Sequence, residues 1–330
     1  MACLVAHLHD PNIDLRKPFT PLGDSDVFAG RDYDQDFISP FVTIHKLPVN
    51  PTTAFLTPGY RTNPIALYRG AKLTGRPQQL YDTVVSLLND VYEKKVLANE
   101  VLAETIRQLI LLKEENQQRM ASLLTNLEAV KQNTALSVES IINLIQSHLS
   151  FPNSSRLPVL VIAAAYNAAQ DKLGERCRPL QQHTAADKQT GALGDIEITL
   201  QDDNNIVTAY EMKAKRVTVE DIHIALQKLE RGSLTVDNYI FITTENIDPE
   251  ADKEAKSLHS KIGVEFTILD CIGFLRHFLY LFYRLRLAFL DAYQELVLNE
   301  PISAVKPLLK EAFLTARLAA EANAIQTNDE

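Results

Sequence analysis

Residues 194–216 read GDIEITLQDDNNIVTAYEMKAKR, and the way this stretch alternates decides the fold class. Over residues 193–200, Ile196, Ile198 and Leu200 fall on one side and Asp195, Glu197 and Thr199 on the other, the period of two expected of a half-buried strand. Asp202, Asp203, Asn204 and Asn205 make a turn. Beyond it, residues 206–215 point Val207, Ala209, Glu211 and Lys213 one way and Ile206, Thr208, Tyr210 and Met212 the other, so Glu211 and Lys213 share a face. Paired as a hairpin, the two strands would bring Asp195 up to Glu211 across the ladder. The outcome would be two acids with a lysine beside them.

Working outward, Thr218 begins a helix through about Arg231, with Asp221 three residues on completing a capping box and Gly232 ending it. Residues 238–244, NYIFITT, form a buried strand. Asp248 and Pro249 cap and start another helix to about Lys261, and residues 264–269 are a strand again, followed by a buried helix. Upstream, Pro158 opens an apolar helix that closes at Gly174, and a loop with Arg176, Arg178, His183, Asp187 and Lys188 leads into the opening stretch. The order helix, two strands, helix, strand, helix, strand, helix makes an α/β layer sandwich around a mixed sheet.

The first 75 residues are of another character, rich in proline, threonine and glycine, with one short helical candidate at residues 32–43 broken near Pro40. Arg31, Arg61, Arg69, Lys72 and Arg76 lie there among Phe28, Phe55, Tyr60 and Tyr68. Such arginines clamp phosphates or read base edges, or simply pair on the surface with Asp24, Asp26, Asp32, Asp34 and Asp36. Helical periodicity follows from Pro77, over residues 99–133 and over residues 136–149, which suggests a small bundle suited to dimerisation or to supporting the loops. In the second of these, residues 113–119, KEENQQR, are a solvated face or a break between two helices. Residues 150–157, SFPNSSRL, read as a linker. A last helix over residues 304–324 carries Val305, Leu308, Leu309, Phe313 and Leu318 on its apolar side. The expected organisation is a loop-rich and helical region at 1–150, an α/β domain at 151–295, and a C-terminal helix and tail at 296–330.

The 330 residues, 46% hydrophobic and 23% charged, have the composition of a soluble globular protein. Cys3, Cys177 and Cys271 form no CxxC pair, which disfavours a zinc site or a disulfide framework and fits a reducing cytoplasm. The most apolar region, residues 264–290, is interrupted by Asp270, Arg276, His277, Arg284 and Arg286, against a membrane span. The net charge of -9 means that any contact with nucleic acid must be local to a basic cleft.

Asp195, Glu211 and Lys213, in this order of elements, resemble the PD-(D/E)XK nuclease superfamily. The longer wording, HTAADKQTGALGDIEI and YEMKAKRVTVEDIHIAL together with FAGRDYDQDFISPF and LTGRPQQLYD, resembles the SacI-like type II restriction endonucleases. One departure is that Gly194, not proline, precedes Asp195. The resemblance implies a restriction-endonuclease-like core, and Mg2+-dependent hydrolysis of both strands of a short palindromic double-stranded DNA site by a homodimer. Asp195 and Glu211 would be metal ligands, with the Met212 carbonyl a third, and Lys213 would orient or deprotonate the attacking water. Lys215, Arg216, Arg31, Arg61, Arg76 and Lys188 are the candidate DNA contacts. Glu197 reads as a further ligand or a solvated strand-edge acid, Glu175 as an extra acid or a helix-end charge, and His223 as a packed or surface histidine. Gln227 is a residue that would face the cleft. A repair or junction nuclease of the same fold, and a catalytically inactive interaction protein, are the competing functions.

Overall fold

The computed structural model describes residues 1–49, 65–71, 73, 78–131, 136–180, 192–232 and 236–326. The chain divides into two compact units, Met1–Arg119 and Met120–Glu330. The first contains helix α1 (Ala2–His9), helix α2 (Gln78–Tyr92) and most of the long helix α3 (Ala98–Lys131). Its core gathers Leu4, Leu15, Phe28, Leu67, Val85, Leu88 and Val91. The helical run expected at 32–43 is present but not plain: a short turn at Gly30–Tyr33 widens into a π-turn over Asp34–Ile38 before Ser39–Ile44 resumes as α-helix. Pro40 has no N–H for the ladder and crowds the preceding turn, and a π-turn just upstream is one way to take up that crowding.

The second unit is a sheet between two helical layers. Helices α4 (Val138–Leu149) and α5 (Leu157–Leu173) precede strands β1 (Glu175–Cys177), β2 (Ile196–Leu200) and β3 (Ile206–Lys213). Helix α6 (Val219–Gly232), strand β4 (Asn238–Thr243), helix α7 (Pro249–Ile262) and strand β5 (Glu265–Asp270) follow, and helices α8 (Cys271–Leu281), α9 (Arg286–Asn299) and α10 (Pro307–Gln326) complete it. The five strands lie in sequence order. β1 with β2 and β2 with β3 are antiparallel, whereas β3 with β4 and β4 with β5 are parallel, each parallel pair joined through one of the helices α6 and α7.

Alternation along the strands divides the core between the two faces. Ile196, Ile198, Tyr210 and Ile242 join Leu160, Ile162, Leu275, Phe289 and Phe313 of α5, α8, α9 and α10. Ala209, Tyr239, Phe241, Phe266 and Ile268 face Ile222, Ala225, Ala251 and Leu258 of α6 and α7. β2 is therefore buried on both sides rather than half-buried as expected, because helices cover the sheet on each face. The pairing slips between Ile198 and Thr199, which face Thr208 and Ile206. That irregularity reverses the alternation at the start of β3, and Val207 packs with the first cluster while Ile206 packs with the second.

Several expectations are revised. α2 belongs to the core of the first unit and α4 to the second, so the three helices do not form one bundle. Residues 113–119 are a solvated stretch of an uninterrupted α3. Residues 150–156 make the turn between α4 and α5 inside the second unit, and Leu157 already begins α5. Glu175, read as a helix-end charge, begins the edge strand β1. In α10, Leu308 is 75% exposed and Leu314 takes the buried position instead.

Candidate active site

An antiparallel pair places the start of one strand beside the end of the other, so the entry to β2 and the exit of β3 meet at one end of the sheet. Ile196 pairs with Tyr210, and one step along the same register sets Asp195 beside Glu211. Asp195 Oδ2 accepts a 2.7 Å hydrogen bond from the Met212 amide, which takes the place of the next ladder partner. The expected approach of Asp195, Glu211 and Lys213 is thus present in the fold.

Gly194 makes this approach geometrically possible. A Cβ there would lie 2.4 Å from the Tyr210 carbonyl oxygen, well inside contact distance. Any side chain, proline included, would push β2 off β3 at the residue before the acid.

Glu211 is held from three sides. Lys213 Nζ lies 3.1 Å from its Oε1, Lys228 Nζ lies 3.3 Å from its Oε2, and the Tyr239 hydroxyl is 3.2 Å from that same oxygen and 2.9 Å from the Leu193 carbonyl. Lys213 also lies 3.4 Å from Asp221 Oδ1. Asp221 is the N3 acid of the α6 capping box: its Oδ2 accepts from the Thr218 amide at 3.0 Å and hydroxyl at 2.8 Å. One carboxylate thus caps the helix and positions a lysine. Burial alone would lower the Lys213 pKa, but the charges and hydrogen bonds of Glu211 and then Asp221 carry it above the ordinary lysine value. Burial would raise Asp221, yet the Thr218 hydrogen bonds, then Lys213 and Lys215, hold it below the usual carboxylate value.

Neither Lys228 nor Tyr239 is among the residues expected from the sequence. Both have a signal there in retrospect: Lys228 lies seven residues after Asp221, two turns along the same helix face, and Tyr239 lies in the strand paired in parallel with β3. Gln227, the expected cleft residue of α6, is exposed and its neighbour Lys228 makes the contact. Glu197 is buried, not solvated: its Oε1 accepts from the Leu193 amide at 2.9 Å and its Oε2 lies 2.7 Å from Arg178. It fastens the segment entering β2. His223 is a surface residue 3.8 Å from Glu254.

The candidate DNA contacts that are described belong to both units. Lys215 and Arg216 follow β3 with side chains 70% and 57% exposed, and they lie 3.8 Å from Asp221 and 3.3 Å from Asp248 respectively. Arg31 is exposed on the Gly30–Tyr33 turn of the first unit. Arg61, Arg76 and Lys188, with Lys72, His183 and Asp187, lie outside the described residues. Of the acids expected as surface partners, Asp24 and Asp26 bind Lys17, while Arg69 binds Asp90 and Glu93. Among the described residues, no helix is long and apolar enough to cross a membrane.

The oxygen donors suit a hard cation. Asp195 and Glu211 are carboxylates, and Met212, whose amide goes to Asp195, turns its carbonyl toward the same side of the strand. No group of three or more histidine, cysteine, aspartate or glutamate side chains gathers to hold an ion among the described residues. A cation here would draw on two carboxylates and be completed by carbonyl, water and phosphate oxygens.

No curated protein matches the chain. Residues 133–244 match the family model described as the SacI restriction endonuclease C-terminal domain. The matched span is about a third of the chain and runs through β2, β3, α6 and β4. The segment that brings Asp195, Glu211 and Lys213 together is thus similar to the C-terminal domain of the SacI restriction endonuclease, and this supports a SacI-like restriction endonuclease.

Proposed function

We propose that the protein is a type II restriction endonuclease of the PD-(D/E)XK superfamily, which hydrolyses both strands of a short palindromic DNA site with Mg2+ and acts as a homodimer. The observation that carries this reading is the convergence of Asp195, Glu211 and Lys213 at one end of a mixed sheet, inside the span similar to a restriction endonuclease domain. Asp195, Glu211 and the Met212 carbonyl would hold the metal. When bound, the ion supplies an acidified water and charge compensation for the phosphate.

The remaining work falls to the chain itself. The Met212 amide orients Asp195, and Tyr239 ties Glu211 to the Leu193 segment just before it. Lys213, held as an ammonium between Glu211 and Asp221, orients the attacking water and offsets the charge that develops on the phosphoryl oxygens. Lys215 and Arg216, exposed where β3 ends, supply a local basic edge for the phosphate backbone on an acidic molecule.

Incubation of the purified protein with unmethylated plasmid DNA and Mg2+ tests the reading, and discrete bands are expected. Nicks confined to branched or damaged substrates would favour a repair nuclease instead, and no cleavage on any substrate would sink both. Lys213→Ala is expected to abolish cleavage, a loss on the order of a hundredfold or more, while gel-shift affinity for DNA is largely kept. Normal cleavage by that variant would remove Lys213 from the site.

A further inference from the structure

We propose that Lys228 is a positioning residue that holds Glu211 closed to cations until a nucleic-acid phosphate draws it away, so that metal and DNA bind together; this rests on the reading of the site given above. Both carboxylate oxygens of Glu211 already have cationic neighbours, Lys213 on Oε1 and Lys228 on Oε2. A divalent ion that ligates Glu211 meets an ammonium 3.3 Å from one of the two oxygens it needs.

Charge decides which state is preferred. Asp195, Glu211 and Asp221 stand with Lys213, Lys228 and Lys215, a balanced set of charges in which the Glu211 side chain is only 14% exposed. A divalent ion adds two positive charges to that set in a setting where water screens poorly. A phosphodiester brings an offsetting negative charge and an acceptor for the displaced ammonium.

Lys213 has a second carboxylate, Asp221, and remains in place when Glu211 turns to a cation. Lys228 reaches across from α6 on a flexible four-carbon stem and can swing from Glu211 to a phosphate oxygen without any change in the helix. Binding of phosphate frees the carboxylate and binding of metal favours the swung lysine, so the coupling is reciprocal.

The test reads metal binding and not cleavage. Mn2+ is titrated into the DNA-free full-length protein and followed by loss of the free-ion EPR signal. Lys228→Met should bind roughly tenfold tighter than the wild type, whereas Lys228→Arg, which restores the positive charge, should bind as weakly as the wild type. Equal affinities in wild type and Lys228→Met overturn the proposal, as does tightening in both variants, since lost packing and not lost charge would then be the cause. Glu211→Gln on the Lys228→Met background should abolish the gain. If the gain survives, the ion is not at Glu211, and the latch and the assigned metal ligand fall together. If Lys228→Met binds no Mn2+, the latch alone is overturned, and plasmid cleavage by the wild type still carries the nuclease reading.

Discussion

At Gly194 the chain passes so close to β3 that only a hydrogen atom fits opposite the Tyr210 carbonyl. Tyr210 is anchored in the ladder opposite Ile196, so neither backbone yields cheaply. Gly194→Ala should therefore destabilise the second unit by ~1–3 kcal/mol, and by moving Asp195 it should reduce cleavage beyond the loss explained by unfolding. Urea denaturation together with cleavage at matched folded fraction separates the two effects, and an unchanged unfolding midpoint would refute the close approach. The same scale shows what the sequence could and could not disclose. The period of two and the antiparallel pairing suffice to bring Asp195, Glu211 and Lys213 together. Lys228 and Tyr239 reach Glu211 only through the rotation of α6 and the parallel register of β4, and neither is encoded in local alternation. Tyr239→Phe keeps the ring but removes the hydroxyl shared by Leu193 and Glu211. It should cost ~1–3 kcal/mol through the buried polar groups left behind, measurable in the same urea transition; no loss would mean that these groups find other partners.

Among the elements, α6 was the most readable, because a threonine followed three residues later by an acid is a local signal that needs no tertiary information. Its Thr218–Asp221 box is present. What stays hidden is that Asp221 also faces Lys213. The two duties are separable. Thr218→Ala removes the cap alone and should cost ~1 kcal/mol of stability with cleavage by the folded protein nearly unchanged. Asp221→Ala removes the cap and one of the two carboxylates around Lys213, so cleavage should fall further than stability accounts for. Equal kcat in the two variants at full folding would show that Asp221 serves the helix only. β1 is the opposite case: three residues, Glu175, Arg176 and Cys177, carry no usable alternation, and they become a strand only because β2 offers them an edge. The two-sided burial of β2 was equally out of reach. Glu197 and Thr199 look solvated in sequence, but α6 and α7 cover that face and Glu197 is satisfied by the Leu193 amide and Arg178.

For the molecule as a whole, stability of the second unit is tied to a residue that the catalytic reading does not use. His148, at the end of α4, is 1% exposed in the core shared with α9 and α10. The Leu309 carbonyl, 3.0 Å from Nε2, can only accept, so Nε2 carries the proton and Nδ1 accepts from the Tyr293 hydroxyl, also at 3.0 Å. A second proton has no acceptor unless that hydroxyl turns away. Burial pushes the His148 pKa down to about 4 from 6.5, a fall only partly countered by the Leu309 carbonyl. Above about pH 6.5 the histidine is neutral in both states and its contribution is complete. Between about 6.5 and about 4 the unfolded chain binds the proton and the folded chain does not, so stability falls as the pH drops through that window. The full loss is ~3 kcal/mol. Carboxylates in other ion pairs add their own acid sensitivity, which cancels in a comparison of the wild type with His148→Gln, whose amide can donate to Leu309 and accept from Tyr293 without titrating. The wild-type unfolding free energy should drop more steeply with acid than that of the variant across this window, and the two should run parallel above it. Parallel curves throughout would mean that His148 charges freely in the folded protein, and that the α4, α9 and α10 core opens to admit the proton.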